Sequence, residues 1–436
     1  MHIPDGYLAP AISVGLGVVT GPVWAISTNK VKKVLNNRTV PLLAVFAALS
    51  FTIMMFNVPV PGGTTAHGVG GTLIAVVLGP WAAVIAVTTA LILQALFFGD
   101  GGVLAIFANC LNMAIILPFV GYATYRLLAA GSQVLSTRRA VAAGIGAYAG
   151  ITVAALAVGI ELGVQPALFS DNGRALYSPY GLEQAVPAML AAHMFGASIV
   201  EALITGLGVA YLQRRHPEYL TGLRSIFAPD AADAADAAGS PPERRPLWQP
   251  ALATVAVATA LLAVVGLAEG GGDPSRLFGA DWSSVDWPAV ATMLLITAAI
   301  GVVLVPAAYL VLPSSLKRVG TLFALLAVIA PLGLIAPGFA YGEGGTEDVQ
   351  AAFGYVPSGL SDLSGMFAAP LADYNLPLPF FSDASAPLWH AGMGYELAGV
   401  VGVLLVGGAT IIVAGLIRRG TGGPEAPAAD RSPRVQ

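Results

Sequence analysis

The sequence predicts an all-α, polytopic membrane protein, on three observations. Charged residues make up 10% of the 436, against about 25% in an average soluble protein. Apolar stretches close to the ~20 residues needed to cross a bilayer recur along the chain. Lys and Arg gather in alternate connecting segments, as cytoplasmic loops require. With 56% apolar residues, the chain has too little charge to cover a large soluble globule and too much apolar surface to stay disordered. A net charge of −4 leaves no nucleic-acid footprint. The single cysteine, Cys110, excludes a disulfide framework and any multi-cysteine zinc or iron–sulfur site. No resident cofactor is expected.

Taken in order, spans fall near 7–27, 40–58, 67–79, 81–98, 103–127, 138–163 and 186–212, and then near 249–267, 288–312, 319–340 and 394–417. The 67–79 segment is short and covers about 20 Å at ~1.5 Å per residue. The charge distribution requires it nonetheless. With the N-terminus outside and the C-terminus cytoplasmic, only Arg174 and Arg276 of the 20 basic residues lie outside, and omitting the short helix would reverse every later segment. The opening ten residues carry no Lys or Arg and therefore lack the basic region of a signal peptide. Met1 is accordingly expected to remain the mature terminus.

Residues 225–246, SIFAPDAADAADAAGSPPERRP, interrupt the apolar pattern with an Ala-Asp run and a Pro pair, a composition suited to a flexible tether. The expected organisation is therefore a seven-helix unit at 1–224, a linker at 225–246, a four-helix accessory unit at 247–419 and a disordered tail at 420–436. Within the second unit, residues 341–393 form a long outer loop holding Glu343, Glu347, Asp348, Asp362, Asp373 and Asp383 but no Lys or Arg. Such a loop reads either as a solvated acidic surface or as a funnel that concentrates cations.

Among the five histidines, His2 stands out by position. A free α-amine, the His2 amide nitrogen and the His2 ring Nδ1 can close fused five- and six-membered chelate rings around one metal. One more nitrogen would complete a square plane, a geometry that favours Ni(II) or Cu(II) over tetrahedral zinc. His67 is the best fourth donor. It is expected to open the short helix in NVPVPGGTTAHGVGGTL, and short or interrupted helices often mark transport sites. Other ionisable groups have simpler readings. His216, in QRRHPEY, is expected at the surface, and His390 beside Trp389 reads either as a structural residue or as a weak capture ligand. His193 and Glu201 lie two turns apart on one helix face, where a helix-packing pair competes with a proton relay that would include Glu161. In the first span, Ser13, Gly17 and Gly21 form a small-residue stripe, for close packing inside the molecule or against another subunit.

The opening MHIPDGYLAP resembles the metal-binding membrane subunits of cobalt and nickel energy-coupling-factor transporters, the CbiM/NikM family. The likeness continues in PVPGGTTAHGVGGTLIAVVLGPWAA, LILQALFFGDGGVLAIFANCLNMA and AAHMFGASIVEALITG, and so covers most of residues 1–215. It implies seven spans, an external N-terminus and a square-planar nitrogen site made by the Met1 amine, the His2 amide and ring, and His67. In the second unit, PLGLIAPGFAYGE, GYVPSGLSDLSGMF and APLADYNLP resemble the accessory domain named for its PDGLE motif, at about 319–417. Here that motif reads PSGLS, with Ser358 and Ser361 in place of the Asp and Glu.

What the resemblance implies is a substrate-capture component, not an enzyme, of an ATP-driven importer in a bacterial cell membrane. Its cargo would be Co(II) or Ni(II), and a cobalt cargo would serve cobalamin biosynthesis. The sequence has no GxxxxGK[ST] phosphate loop. Its partners are therefore expected to be a membrane coupling (T) subunit and two ATPase subunits, with a small accessory membrane subunit as an optional addition. The alternative is a proton-coupled secondary carrier acting without ATPase partners.

Overall fold

The computed structural model describes residues 1–36, 39–60, 64–220, 287–296, 340–382 and 387–419, together with residues 299 and 334. The expected linker, the tail, the spans at 249–267 and 319–340 (Leu334 and Ala340 apart) and most of that at 288–312 lie outside the described residues.

Among the described residues, six helices are long and apolar enough to cross a membrane. They are α1 (Pro10–Lys32), α4 (Pro80–Phe98), α5 (Ile106–Leu128), α6 (Thr137–Gly163, which runs on to Leu168), α7 (Leu182–Arg215) and α11 (Leu388–Arg419). Two more are apolar but shorter, α2 (Thr39–Met55) and α8 (Trp287–Ile296), and α3 (Gly71–Leu78) is shorter still. The small helices α9 (Thr346–Phe353) and α10 (Ser358–Leu363) lie in the acidic stretch 341–393. The chain is a multi-pass membrane protein. Val18 and Leu404, at 74% and 70% exposure, belong to an apolar outer belt that no soluble monomer would present to water.

Local chemistry sets the helix boundaries. Pro10 and Pro80 sit in the first turns of α1 and α4, where the missing N–H has no helical partner to lose. Ser136 caps α6 by accepting a hydrogen bond from the Arg138 amide at 3.2 Å. Gly79, at φ +85°, makes the break between α3 and α4, a conformation that L side chains rarely adopt. Spans α4, α5 and α7 each contain a π-helical stretch, at Gln94–Phe98, Cys110–Ile116 and His193–Ala197. Such wide turns are frequent at functional sites.

The 40–58 span ends early, at Met55, because the chain turns into a hairpin. Strand β1 (Asn57–Val60) pairs antiparallel with β2 (Thr64–His67), in a register that sets Asn57 opposite His67. His67 therefore closes a strand rather than opening the short helix, which begins four residues later at Gly71. The expectation of a helix N-terminus at His67 is corrected accordingly.

Packing inside the bundle relies on small residues. A Cβ at Gly146 or Gly150 of α6 would come within 2.5 Å of the Gly121 or Leu117 carbonyl of α5, so the two backbones touch. Of the α1 stripe, Ser13 and Gly17 pack inside the molecule, while Gly21 faces open space. Ser13 hydrogen-bonds the Leu104 carbonyl, Thr20 the Phe107 carbonyl at 3.1 Å, and Gly17 faces the Phe107 ring. From the second unit, α11 lies along α2, with Gly402 against the Phe51 ring and Tyr395 Oη donating to the Met55 carbonyl at 2.6 Å.

Candidate metal centre

The first nine residues run into the bundle instead of lying on it. Met1, His2 and Ile3 are 3%, 3% and 0% exposed. The Ile3 amide donates to Asn109 Oδ1 at 2.8 Å, and Asn109 Nδ2 donates back to the Ile3 carbonyl at 3.1 Å. That carbonyl also accepts from the Gly102 amide at 2.8 Å. The Asp5 carboxylate accepts from the amides of Val103 and Leu104, and the Ala9 amide donates to Gln165 Oε1 at 3.1 Å. The backbone groups of Ile3 and the amide of Ala9 thus have partners other than water, as burial demands.

This fixed segment brings His2 to His67, with ring centroids 4.9 Å apart and planes inclined by 31°. His67 is 4% exposed. Its Nδ1 lies 2.9 Å from the Gly68 carbonyl oxygen. A carbonyl only accepts, so Nδ1 carries the proton and Nε2 is the bare nitrogen. His67 Nε2 and His2 Nε2 are buried without a hydrogen-bond partner. Unpaired buried nitrogens of this kind are costly unless something else uses them. The three residues expected to form the site, Met1, His2 and His67, are therefore brought together.

Four residues that sequence reasoning did not place at the site surround them. Asp100 Oδ1 lies 2.9 Å from His2 Nδ1, at ion-pairing distance but not aligned as a hydrogen bond. Burial alone would raise the Asp100 carboxyl, yet the His2 ring beside it and the hydrogen bond from Tyr374 hold it below the usual carboxylate range. Tyr374 Oη donates to Asp100 Oδ2, and Gln94 Nε2 donates to both, at 2.8 Å to the tyrosine and 3.1 Å to the carboxylate. Tyr374 and its neighbour Asp373 hold φ of +56° and +54°, rare for non-glycine residues and concentrated at functional sites. Glu343 Oε1 lies 3.2 Å from the Met1 α-amino nitrogen. Both Glu343 and Tyr374 come from the acidic stretch 341–393. That stretch is held down further by Tyr7 Oη donating to the Gly344 carbonyl at 2.7 Å and by the Leu371 amide donating to the Phe97 carbonyl at 2.8 Å. The sequence held one usable signal, the Asp100 carboxylate in the glycine-flanked turn FFGDGG between two spans.

The remaining ionisable groups go elsewhere. His193 Nδ1 donates to the Met189 carbonyl at 2.8 Å, Glu161 accepts from Asn112 at 2.7 Å, and Glu201 accepts from the amides of Val69 and Gly70. No hydrogen bond joins any two of His193, Glu161 and Glu201 among the described residues. His216 is at the surface beside Glu218, and His390 stacks on Phe380 while bonding its carbonyl. Among the described residues, no three His, Cys, Asp or Glu side chains stand close enough to hold a metal ion.

Fold and site together define a multi-pass membrane protein of the metal-transport class. The family profile described as "Cobalt uptake substrate-specific transmembrane region" (CbiM) matches residues 2–219. The fused nickel transport protein NikMN of Rhodobacter capsulatus is 37% identical over 432 residues, covering 95% of this chain and 98% of that one. The probable fused nickel transport protein LarMN of Lactiplantibacillus plantarum is 52% identical over 50% of this chain and 66% of its own. A crystal structure titled as a truncated transition metal transporter shares 53% identity across 50% of this chain and all of that one, with a TM-score of 0.47. The chain belongs to the CbiM/NikMN family of cobalt and nickel transport proteins.

Proposed function

We propose that the chain is the substrate-capture component of an ATP-driven energy-coupling-factor importer, and that it binds its metal cargo in a square plane of four nitrogens. The donors are the Met1 amine, the His2 amide, the His2 ring Nδ1 and His67 Nε2. The observation that carries this reading is the buried meeting of the N-terminal segment with His67, whose bare Nε2 has no protein partner. Joining the chelate requires His2 Nδ1 to turn from Asp100 to the metal, which leaves that carboxylate beside the new positive charge. The cargo proposed is Ni(II), because four nitrogens in a plane suit it and because the relative matching both units is described as a nickel transporter. The coupling subunit and two ATPase subunits supply the energy in this scheme. The proton-coupled carrier gains no support, since His193, Glu161 and Glu201 have separate partners.

The test is nickel calorimetry on protein with a native terminus and on the same protein with one residue added before Met1. The added residue leaves every side chain intact but moves the amine out of the five-membered ring. High-affinity binding should vanish in the extended protein and in His2→Ala, and survive in His193→Ala. Equal affinity of the native and extended proteins would remove Met1 and the His2 amide from the site.

A further inference from the structure

We infer that Glu201 is the positioning residue that fixes the orientation and tautomer of His67, acting through a single peptide group. The inference rests on the reading of His67 as the fourth donor.

Glu201 is wholly buried. Its Oε2 accepts from the Val69 amide at 2.7 Å and from the Gly70 amide at 2.8 Å. The Val69 N–H belongs to the same planar peptide group as the Gly68 carbonyl, and that carbonyl receives the His67 Nδ1 proton at 2.9 Å. A carboxylate pulling on the N–H end polarises the group and strengthens the carbonyl as an acceptor. The result is a carboxylate–peptide–imidazole chain. It holds the proton on Nδ1 and leaves Nε2 free, the arrangement that second-shell partners impose on metal-binding histidines.

The next peptide is fixed from both ends as well. Ser50 Oγ donates to the Val69 carbonyl at 2.7 Å, while the Gly70 N–H on the other end of that peptide meets Glu201. The closeness of this turn also accounts for the residue at 68. A Cβ at Gly68 would stand 2.9 Å from Glu201 Oε2 and 3.1 Å from Ile53 Cγ2, so only glycine lets the carboxylate approach. The Glu201 carboxylate thereby also faces the amides that open α3, so it serves the start of that helix as well as the His67 turn.

The experiment is nickel titration of the full chain with a native terminus, following affinity and the ligand-field band of the bound metal. Folding is checked in each variant by its melting profile. Glu201→Leu removes the acceptor at similar volume. It should bind nickel at least about tenfold more weakly, with its band moved toward that of His67→Ala. Glu201→Gln restores a carbonyl oxygen at the same reach and should recover the wild-type band. Where Glu201→Leu does not fold, Glu201→Asp, whose shorter arm cannot reach both amides, takes the same readings with the same expectations. A folded Leu or Asp variant with wild-type affinity and band overturns the assignment. So does a Gln variant as impaired as the Leu variant, because an acceptor in the same place would then count for nothing. A His67→Ala protein that keeps the wild-type band would instead overturn the four-nitrogen site itself.

Discussion

The Met1 α-amino nitrogen and the Glu343 carboxylate, 342 positions apart in the chain, meet at 3.2 Å. One end of this pair is fully buried and the other is 22% exposed. In the proposed site the metal takes this same amine, so Glu343 would compete with the cargo for one nitrogen.

That competition should be mild. An ion pair in contact with solvent contributes at most about 1 kcal/mol, which corresponds to about fivefold in an equilibrium constant. Glu343→Gln is expected to change nickel affinity by no more than that. A hundredfold loss in calorimetry would make Glu343 a ligand and not a competitor.

Asp100 faces the His2 ring and is held by Tyr374 and Gln94. Groups that orient metal ligands typically contribute about 10–100-fold to affinity. Asp100→Asn should fall in that range, and Tyr374→Phe near its lower end, with folding retained in both. Unchanged nickel binding by the Asn variant would reduce Asp100 to a bystander.

Transport should need partners. Reconstituted alone, the chain should bind metal yet accumulate none in proteoliposomes, with or without a pH gradient. Addition of the coupling and ATPase subunits with ATP should start uptake. Accumulation by the chain alone, driven by a pH gradient, would restore the secondary carrier.

How much of this the sequence disclosed depends on the range of the interaction. The helical spans of the first unit follow from runs of apolar residues, a local property, and α1 to α7 lie close to where those runs place them. Met1 and His2 are legible because they are adjacent and chelate geometry relates adjacent atoms. His67 stood out because it follows a glycine-rich stretch before a short helix. Its place at the end of a hairpin was not visible, since each strand pairs only four residues, too short a run for alternation to stand out from a loop. Asp100, Glu343 and Tyr374 reach the site by contacts spanning 98 to 342 positions, and nothing in the local pattern around Glu343 points to residue 1. Glu201 was noted for being ionisable inside a span, but the eight-residue spacing suggested His193 as its partner. The amides of Val69 and Gly70 that it does bind carry no signature in side-chain sequence.

The cover over the donor cluster comes from the same polypeptide as the cluster. Glu343, Gly344, Leu371 and Tyr374 touch Met1, Tyr7, Phe97 and Asp100 through a handful of bonds. Covalent linkage makes their docking an intramolecular event, with an effective concentration that reaches millimolar for short flexible connections. Within one chain that docking does not depend on how much protein the cell contains. Severing the chain between the units would leave every one of these bonds chemically possible and make their occupancy depend on how much of each piece the cell contains.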